Sequence, residues 1–478
     1  MTPDHPTEPE RGPVSRFVSR VWHSIPARLA VGTFIVFNIN LRSISSADTF
    51  PTRYLPIAIL SGHGFQLDEF EFLRDARYTL PGDESSGVPY YLQFRRGHYL
   101  STYPVMPAIL ATPIYALPVA LGLTSGAARP GGGYSRTEVV GTLLSKLAAS
   151  AATALSAVLV YFSLLRLTQR RAALWLTLLY AFATSTWSVS SQGAWQTSFS
   201  GPLLAGAVLC LLVARDSDRR RHVVGAGVWL ALAVACRPPA GIFALLFTVY
   251  VVLHHRRHFW AFCAVPAALG ALLVAYNIYY FGNIVGGYTG AYVARYIVTP
   301  SQMAMATYGL LLSANRGVLV FSPILLLSAA GMVRIAMRRT DMILLYTALG
   351  IVATILFYST FAAWDGTFSF SYRYLTDLLP LLILFAPQFW DWSLASPIRR
   401  AGLVTIAGYS IAIQIVGAFY YPCGWYQSTQ KNPKAIARIF SWRDLEVVQC
   451  VRAGPVFPDG LRLLGMSSSR HPVDANAR

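Results

Sequence analysis

Charge is scarce in this chain, and most of it has one sign. Only 13% of the 478 residues are charged while 54% are hydrophobic and the mean hydropathy is +0.46, whereas an ordinary soluble domain carries roughly a quarter charged residues. That balance excludes a soluble globule and implies an integral membrane protein. Acidic residues number 21 against 39 basic ones, and lysine is nearly missing, occurring only at Lys146, Lys431 and Lys434. There is no phosphate-cradling Gly-rich loop, no Gly-x-Ser-x-Gly elbow, and no His-Glu-x-x-His or Cys-x-x-Cys spacing, so nucleotide hydrolysis and a sequence-encoded metal site are not expected. No cofactor is expected either. The net charge of +18 would suit nucleic acid, but the arginines sit in short connections between apolar runs, where they orient a polytopic protein in its membrane. A cleavable leader is not expected, because the first apolar run follows a polar tail carrying Arg11, Arg16 and Arg20.

What is present is a series of apolar runs separated by two kinds of connection. Arginines crowd residues 166–171, 215–222, 254–258, 334–339 and 399–400, which are expected to face the cytoplasm together with a tail at residues 1–25. Residues 188–198, 237–239, 281–303 and 364–377 hold few arginines and are expected outside. The implied spans are residues 26–41, 138–165, 172–189, 199–213, 223–236, 240–253, 259–280, 304–331, 342–362, 376–390 and 401–421, about eleven in all. The expected fold is an all-α polytopic membrane bundle over residues 26–421. Residues 103–123 are apolar enough to cross, but parity forbids it. Its prolines at 104, 107, 113 and 118 suggest a re-entrant or interfacial hairpin on a large outer loop, residues 43–135.

Asp48 lies where the first apolar run ends. A carboxylate held at a membrane boundary keeps its charge only if water or a cation reaches it, which makes the position a candidate reaction centre. Arg53 follows within the same apolar surroundings. The outer loop also carries Asp68, Glu69, Glu71, Asp75, Asp83, Glu84, Arg95, Arg96 and His98. An aromatic-rich basic pocket at this depth suits a lipid-linked anion whose tail stays in the bilayer. Lys146, Arg237, Arg316 and Arg373 are all expected near the same boundary, and ionisable groups gathered on one leaflet are a functional signal. The run from Ser185 to Gln196 adds hydroxyls, amides, Trp187 and Trp195 to that face, a mixture suited to stacking on a sugar.

These features resemble the GT-C glycosyltransferases. The resemblance rests on an acidic residue at the exit of the first transmembrane helix, a large outer loop with interfacial helices, the Tyr103-Pro104 element and the later segment from Trp364 to Tyr374. It is nearest to the protein O-mannosyltransferases and the lipid A aminoarabinose transferase. Where the mannosyltransferases usually carry Asp-Glu, this chain has Asp48-Thr49. The resemblance implies a polyprenyl-phosphate sugar donor, reaction on the outer face, and often no metal when the donor is a monophosphate.

The resulting expectation is an inverting transfer with Asp48 as general base. Arg53, Lys146, Arg316 and Arg373 are the candidates for the donor phosphate, and His98, Tyr103, Trp195, Gln196, Arg237, Trp364 and Asp365 those for sugar or acceptor. The acceptor could be glycan, lipid or protein. A flippase of the same lipid-linked sugar is the alternative, but it would need ionisable groups along a path through both leaflets. Residues 422–478 are expected outside, where Cys423 and Cys450 can pair, while Cys210, Cys236 and Cys263 fall in apolar spans.

Overall fold

A computed structural model of the protein describes residues 24–74, 88–125, 135–288, 299–426 and 435–456. Asp75, Asp83 and Glu84 lie outside the described residues. Helix α1 (Ile25–Asn38) opens on an Ser24 cap with proline in its first turn. A 3-10 turn, Ala47–Thr49, leads into α2 (Phe50–Leu60), followed by strands β1 (Leu92–Arg95) and β2 (His98–Ser101) and by α3 (Met106–Ala120). Then come α4 (Arg136–Leu164), α5 (Arg170–Phe182), α6 (Gln196–Ser217), α7 (Arg220–Cys236), α8 (Gly241–His254) and α9 (Phe259–Phe281). The remainder comprises α10 (Pro300–Leu312), α11 (Leu326–Arg338), α12 (Met342–Ser359), α13 (Pro387–Leu394), α14 (Pro397–Phe419), α15 (Ala435–Ile439) and α16 (Glu446–Ala453).

Five of the described helices are long and apolar enough to cross a membrane: Arg136–Leu164, Gln196–Ser217, Arg256–Phe281, Met342–Ser359 and Pro397–Phe419. The other expected spans are shorter or broken. Residues 304–331 do not form one helix, because the run Ser313-Ala-Asn-Arg-Gly317 interrupts it between α10 and the short helical turns before α11. Residues 376–390 likewise divide into a 3-10 helix, Arg373–Leu378, and further short turns ahead of α13. The expected hairpin at residues 103–123 is instead a single 15-residue helix, α3, with Pro113 and Pro118 inside it. Pro107 falls in its first turn, where a missing N–H costs nothing. The outer loop also holds the two-stranded antiparallel sheet β1–β2, with Phe94 opposite Tyr99, an exception to the all-α expectation.

The bundle is built around α6, which is buried along most of its length and packs on α4 and α7. By contrast α9 has only Phe262 buried, as suits a helix bathed in lipid. Three of the arginine-rich connections, residues 166–171, 215–222 and 254–258, meet at one end with Asp341, which lies just past a fourth. Arg166 pairs with Asp216 at 3.4 Å, Arg215 with Asp341 at 2.5 Å, and Asp218 takes both His255 at 2.7 Å and Arg257. Bonding to His255, together with the charge of Arg257, holds the exposed Asp218 carboxyl below its ordinary value.

Candidate active site

The chain between α1 and α2 is extended and is pinned from three sides. Asn40 Nδ2 donates to Gln192 Oε1 at 2.7 Å and to the Ala418 carbonyl at 2.9 Å, Arg42 Nη2 donates to the Tyr421 carbonyl at 2.7 Å, and Ile44 N donates to the Gln192 carbonyl at 2.9 Å. The segment runs so close to Gly193 that an added Cβ there would lie 2.8 Å from Ser45 Cβ and 3.0 Å from the Ile44 carbonyl. Only glycine lets the backbones approach this far. The 3-10 turn that follows carries Asp48 into the space between the outer loop and the 3-10 helix Arg373–Leu378.

There Asp48 gathers three partners from distant parts of the sequence. Arg373 Nη1 meets Oδ2 at 2.7 Å, while the hydroxyls of Tyr90 and Tyr103 donate to Oδ1 at 2.6 and 3.3 Å. The carboxylate side chain remains about a quarter exposed (26%), and Arg373 is buried. A carboxylate offers about four lone-pair sites, so these three bonds leave room for a hydroxyl. Arg373 itself stacks 4.6 Å from the Trp195 ring and 5.0 Å from that of Tyr374, and its second nitrogen donates to the Tyr374 hydroxyl at 3.3 Å. The Trp195 Nε1–H is buried without a partner among the described residues. Gln196 Nε2 donates to the Tyr288 hydroxyl at 3.3 Å, and the rings of Tyr288 and Tyr103 lie 6.2 Å apart. Burial pushes the Tyr288 hydroxyl well above its ordinary value, so it stays protonated.

The four cations assigned to the donor phosphate separate. Arg373 stands against Asp48. Arg53 lies on α2 just beyond, and its guanidinium donates to Thr142 Oγ1 at 3.0 Å and to Ser45 Oγ at 2.7 Å, with the Phe50 ring 5.0 Å away. No carboxylate lies within ion-pair distance of Arg53 among the described residues, and its Nε is buried without a partner there. Lys146 is saturated instead: Nζ donates to the Phe37 carbonyl at 2.7 Å, the Ser191 carbonyl at 2.9 Å and Gln192 Oε1 at 2.8 Å. It joins α1 and α4 to the π-helical turn Thr186–Ser190. Arg316 is fully buried against Glu446 of α16.

The sugar and acceptor candidates also divide. Tyr103 and Trp195 border Asp48 directly, with Gln196 behind them. Arg237 pairs with Asp377 at 2.5 Å, both buried, and donates to the Tyr374 carbonyl at 3.1 Å, so it braces the helix that carries Arg373. His98 sits on β2 against Asp68 at 2.9 Å. Trp364 packs on Phe440 and α10, and Asp365 Oδ1 accepts from Thr367 N at 3.4 Å; neither bonds to Asp48 among the described residues. Sequence reasoning did not single out Tyr90, Tyr288, Tyr374, Ser45 or Thr142. Tyr374 adjoins Arg373 in a segment already marked, but nothing in the spacing of Tyr90 marks it. Cys423 and Cys450 form a disulfide with Cα atoms 4.9 Å apart, and Cys210, Cys236 and Cys263 are free.

The chain shares its fold with solved structures of GT-C membrane proteins. Residues 145–281 match the family model described as Dolichyl-phosphate-mannose-protein mannosyltransferase. Among solved structures, the chain is similar to the oligosaccharyltransferase of Archaeoglobus fulgidus in its apo form, with 11% identity over 87% of this chain and a TM-score of 0.51. The same enzyme tethered to an acceptor peptide containing the NVT sequon gives 12% over 88% with a TM-score of 0.51. This chain spans 59% of the length of that enzyme in both structures. ArnT from Cupriavidus metallidurans bound to undecaprenyl phosphate is also similar, with 13% identity over 93% of this chain and 78% of its own, and a TM-score of 0.48. No curated protein matches the chain.

Proposed function

We propose that the protein is a glycosyltransferase that moves a sugar from a polyprenyl-phosphate donor to an acceptor hydroxyl at the outer face of the cytoplasmic membrane, with inversion. The observation that carries this reading is the Asp48 cluster, a partly exposed carboxylate bonded to a buried arginine and two tyrosine hydroxyls at the exit of the first apolar helix. The GT-C fold and the partial family match support the reaction class. Asp48 accepts the proton of the acceptor hydroxyl while a bond forms from its oxygen to the anomeric carbon. The bond from that carbon to the phosphate oxygen breaks, and the phosphate leaves with the electron pair.

Arg53 is assigned to the donor phosphate, because its charge is met here by neutral hydroxyls and an aromatic face rather than by a carboxylate. Arg373 orients Asp48 and faces the charge that develops on the leaving group. Trp195, with its indole N–H unpartnered, Tyr103 and Gln196 are assigned to the sugar. No cofactor or metal enters the proposal; the lipid-linked sugar is a substrate, and the acceptor is a glycan, lipid or protein. The test is release of polyprenyl phosphate from a labelled donor in the presence of candidate acceptors, with wild-type and Asp48→Asn protein side by side. Equal release from both overturns the assignment of Asp48. Movement of the intact donor across a vesicle, without cleavage by the wild type, overturns the transferase in favour of a flippase.

A further inference from the structure

Arg316 and Glu446 lie 130 residues apart in sequence and form an ion pair whose side chains are both fully buried. Removing two charges from water is costly, and although Arg316 Nε and Glu446 Oε1 are buried without a partner among the described residues, the surroundings show how this pair is held. Arg316 Nη1 also donates to the Asn315 carbonyl at 2.6 Å, and the rings of Trp425 and Tyr426 flank the guanidinium at 5.5 and 5.4 Å. Next door, Asn315 receives the chain around Glu446. Its Oδ1 accepts from Glu446 N at 2.7 Å, and its Nδ2 lies 3.1 to 3.4 Å from the carbonyls of Arg438, Ile439, Ser441 and Asp444. The Cys423–Cys450 disulfide closes the same segment covalently.

The other side of Arg316 faces the loop that delivers Arg373. Nη2 donates to the Thr367 carbonyl at 3.5 Å, Tyr426 packs on Phe368 at 5.1 Å, and Asp365 Oδ1 accepts from Thr367 N at 3.4 Å within the loop. That loop is strained. Thr367 and Ser371 adopt φ of 49° and 57°, and Gly366 adopts 76°, so two side-chain-bearing residues occupy the left-handed region within six positions of Arg373. A β-branched residue such as Thr367 rarely sits there, and such backbone persists only where its neighbours over-determine it.

We infer that the C-terminal segment is a clasp for the reactive centre, in which Glu446, acting through Arg316, is a positioning residue that holds the strained loop and so sets Arg373 against Asp48. The consequence for transfer rests on the reaction proposed above; the contact between clasp and loop does not. Arg316 thereby takes a role different from phosphate binding.

The test uses the full chain with Ser369→Cys, a buried loop position, and follows thiol labelling at residue 369 by peptide mass spectrometry. Cys236, fully buried in α7, serves as the internal control for the bundle. Glu446→Gln keeps the shape but leaves the Arg316 charge unmatched, and labelling at 369 is expected to rise about tenfold with Cys236 unchanged, the mark of local opening. In the chain without the reporter, Glu446→Gln is expected to lower transfer by about tenfold or more. Tyr426→Ala removes the ring that flanks Arg316 and packs on Phe368 and keeps the question open to measurement should Glu446→Gln fail to fold; labelling is then expected to rise about threefold. Unchanged labelling in Tyr426→Ala, or a rise at Cys236 that matches the rise at 369, overturns the clasp. If wild-type protein cleaves no donor, the proposed reaction fails while the labelling comparison still decides the clasp.

Discussion

Asp48 and Asp377 show how little separates the carboxylate proposed as the general base from a structural one. Asp377 is buried against Arg237 at 2.5 Å, whereas Asp48 bonds to Arg373 at 2.7 Å and keeps about a quarter of its side chain exposed. Only the second geometry lets an acceptor reach the oxygen. Asp48→Asn keeps the shape and removes the proton acceptor, and transfer is expected to fall about 100-fold, the scale of a general base. Arg53→Gln leaves Asp48 in place; its expected signature is a donor KM raised about tenfold with a smaller change in kcat, read from initial rates against donor concentration. Sequence alone marked Asp48, Arg373, Tyr103 and Trp195, because charge or aromatic character at a membrane exit is unusual wherever it occurs. It gave no sign that Lys146 and Arg316 meet partners within the chain, because those groups, three acceptors from α1 and residues 191–192 in one case and Glu446 in the other, are contiguous only after folding.

At the scale of elements, apolar run length was a good guide to continuous helices and a poor one to broken helices. The runs that became α4, α6, α9, α12 and α14 were found within a few residues, whereas residues 304–331 and 376–390 read as spans but break where Arg316 must turn inward and where the Arg373 helix tightens to 3-10 geometry. Hydropathy does not register a functional interruption. Lys146→Met would take a charged donor from three buried acceptors, each of which keeps one other donor, where α1, α4 and residues 191–192 meet, a loss of about 1–3 kcal/mol. It is expected as a lowered melting temperature in detergent, with donor KM unchanged.

The short α15–α16 segment has its own electrostatic lock. Burial alone would raise the Asp444 carboxyl, but bonds from Arg438 and from Trp425 Nε1 outweigh it, and the group is held below its ordinary value. Because the folded form titrates lower than the unfolded one, its contribution is present above the usual carboxylate range, about pH 4, and is lost as pH falls through the depressed value. Trp425 fluorescence should therefore hold steady from neutral pH down to about pH 4 and change below it, with Asp444→Asn removing the transition.

For the whole molecule, the ion pairs that join residues 166, 215, 216, 218, 255, 257 and 341 place three of the arginine-rich connections on one end of the bundle. The positive-inside rule predicts that this end is cytoplasmic. A reporter fused after Arg478 is then expected to read as external, and a cytoplasmic signal would reverse the assignment. Labelling of a cysteine introduced at the exposed Arg220 by an impermeant reagent, expected only after the cells are opened, checks the opposite end.

The separation of Arg316 from Glu446 also has a consequence in time. A ribosome adds roughly 5–20 residues per second, so the 130 residues between them occupy on the order of ten seconds during which Arg316 has been made and its carboxylate has not. Throughout that interval the half-built bundle carries an unmatched cation where the finished protein has a closed, dry pair. Insertion is therefore not complete when the last apolar helix is in place. In a chain truncated after α14 the Arg316 charge would stay unmatched, and the loop that carries Arg373 would lack its contact with the segment around Glu446.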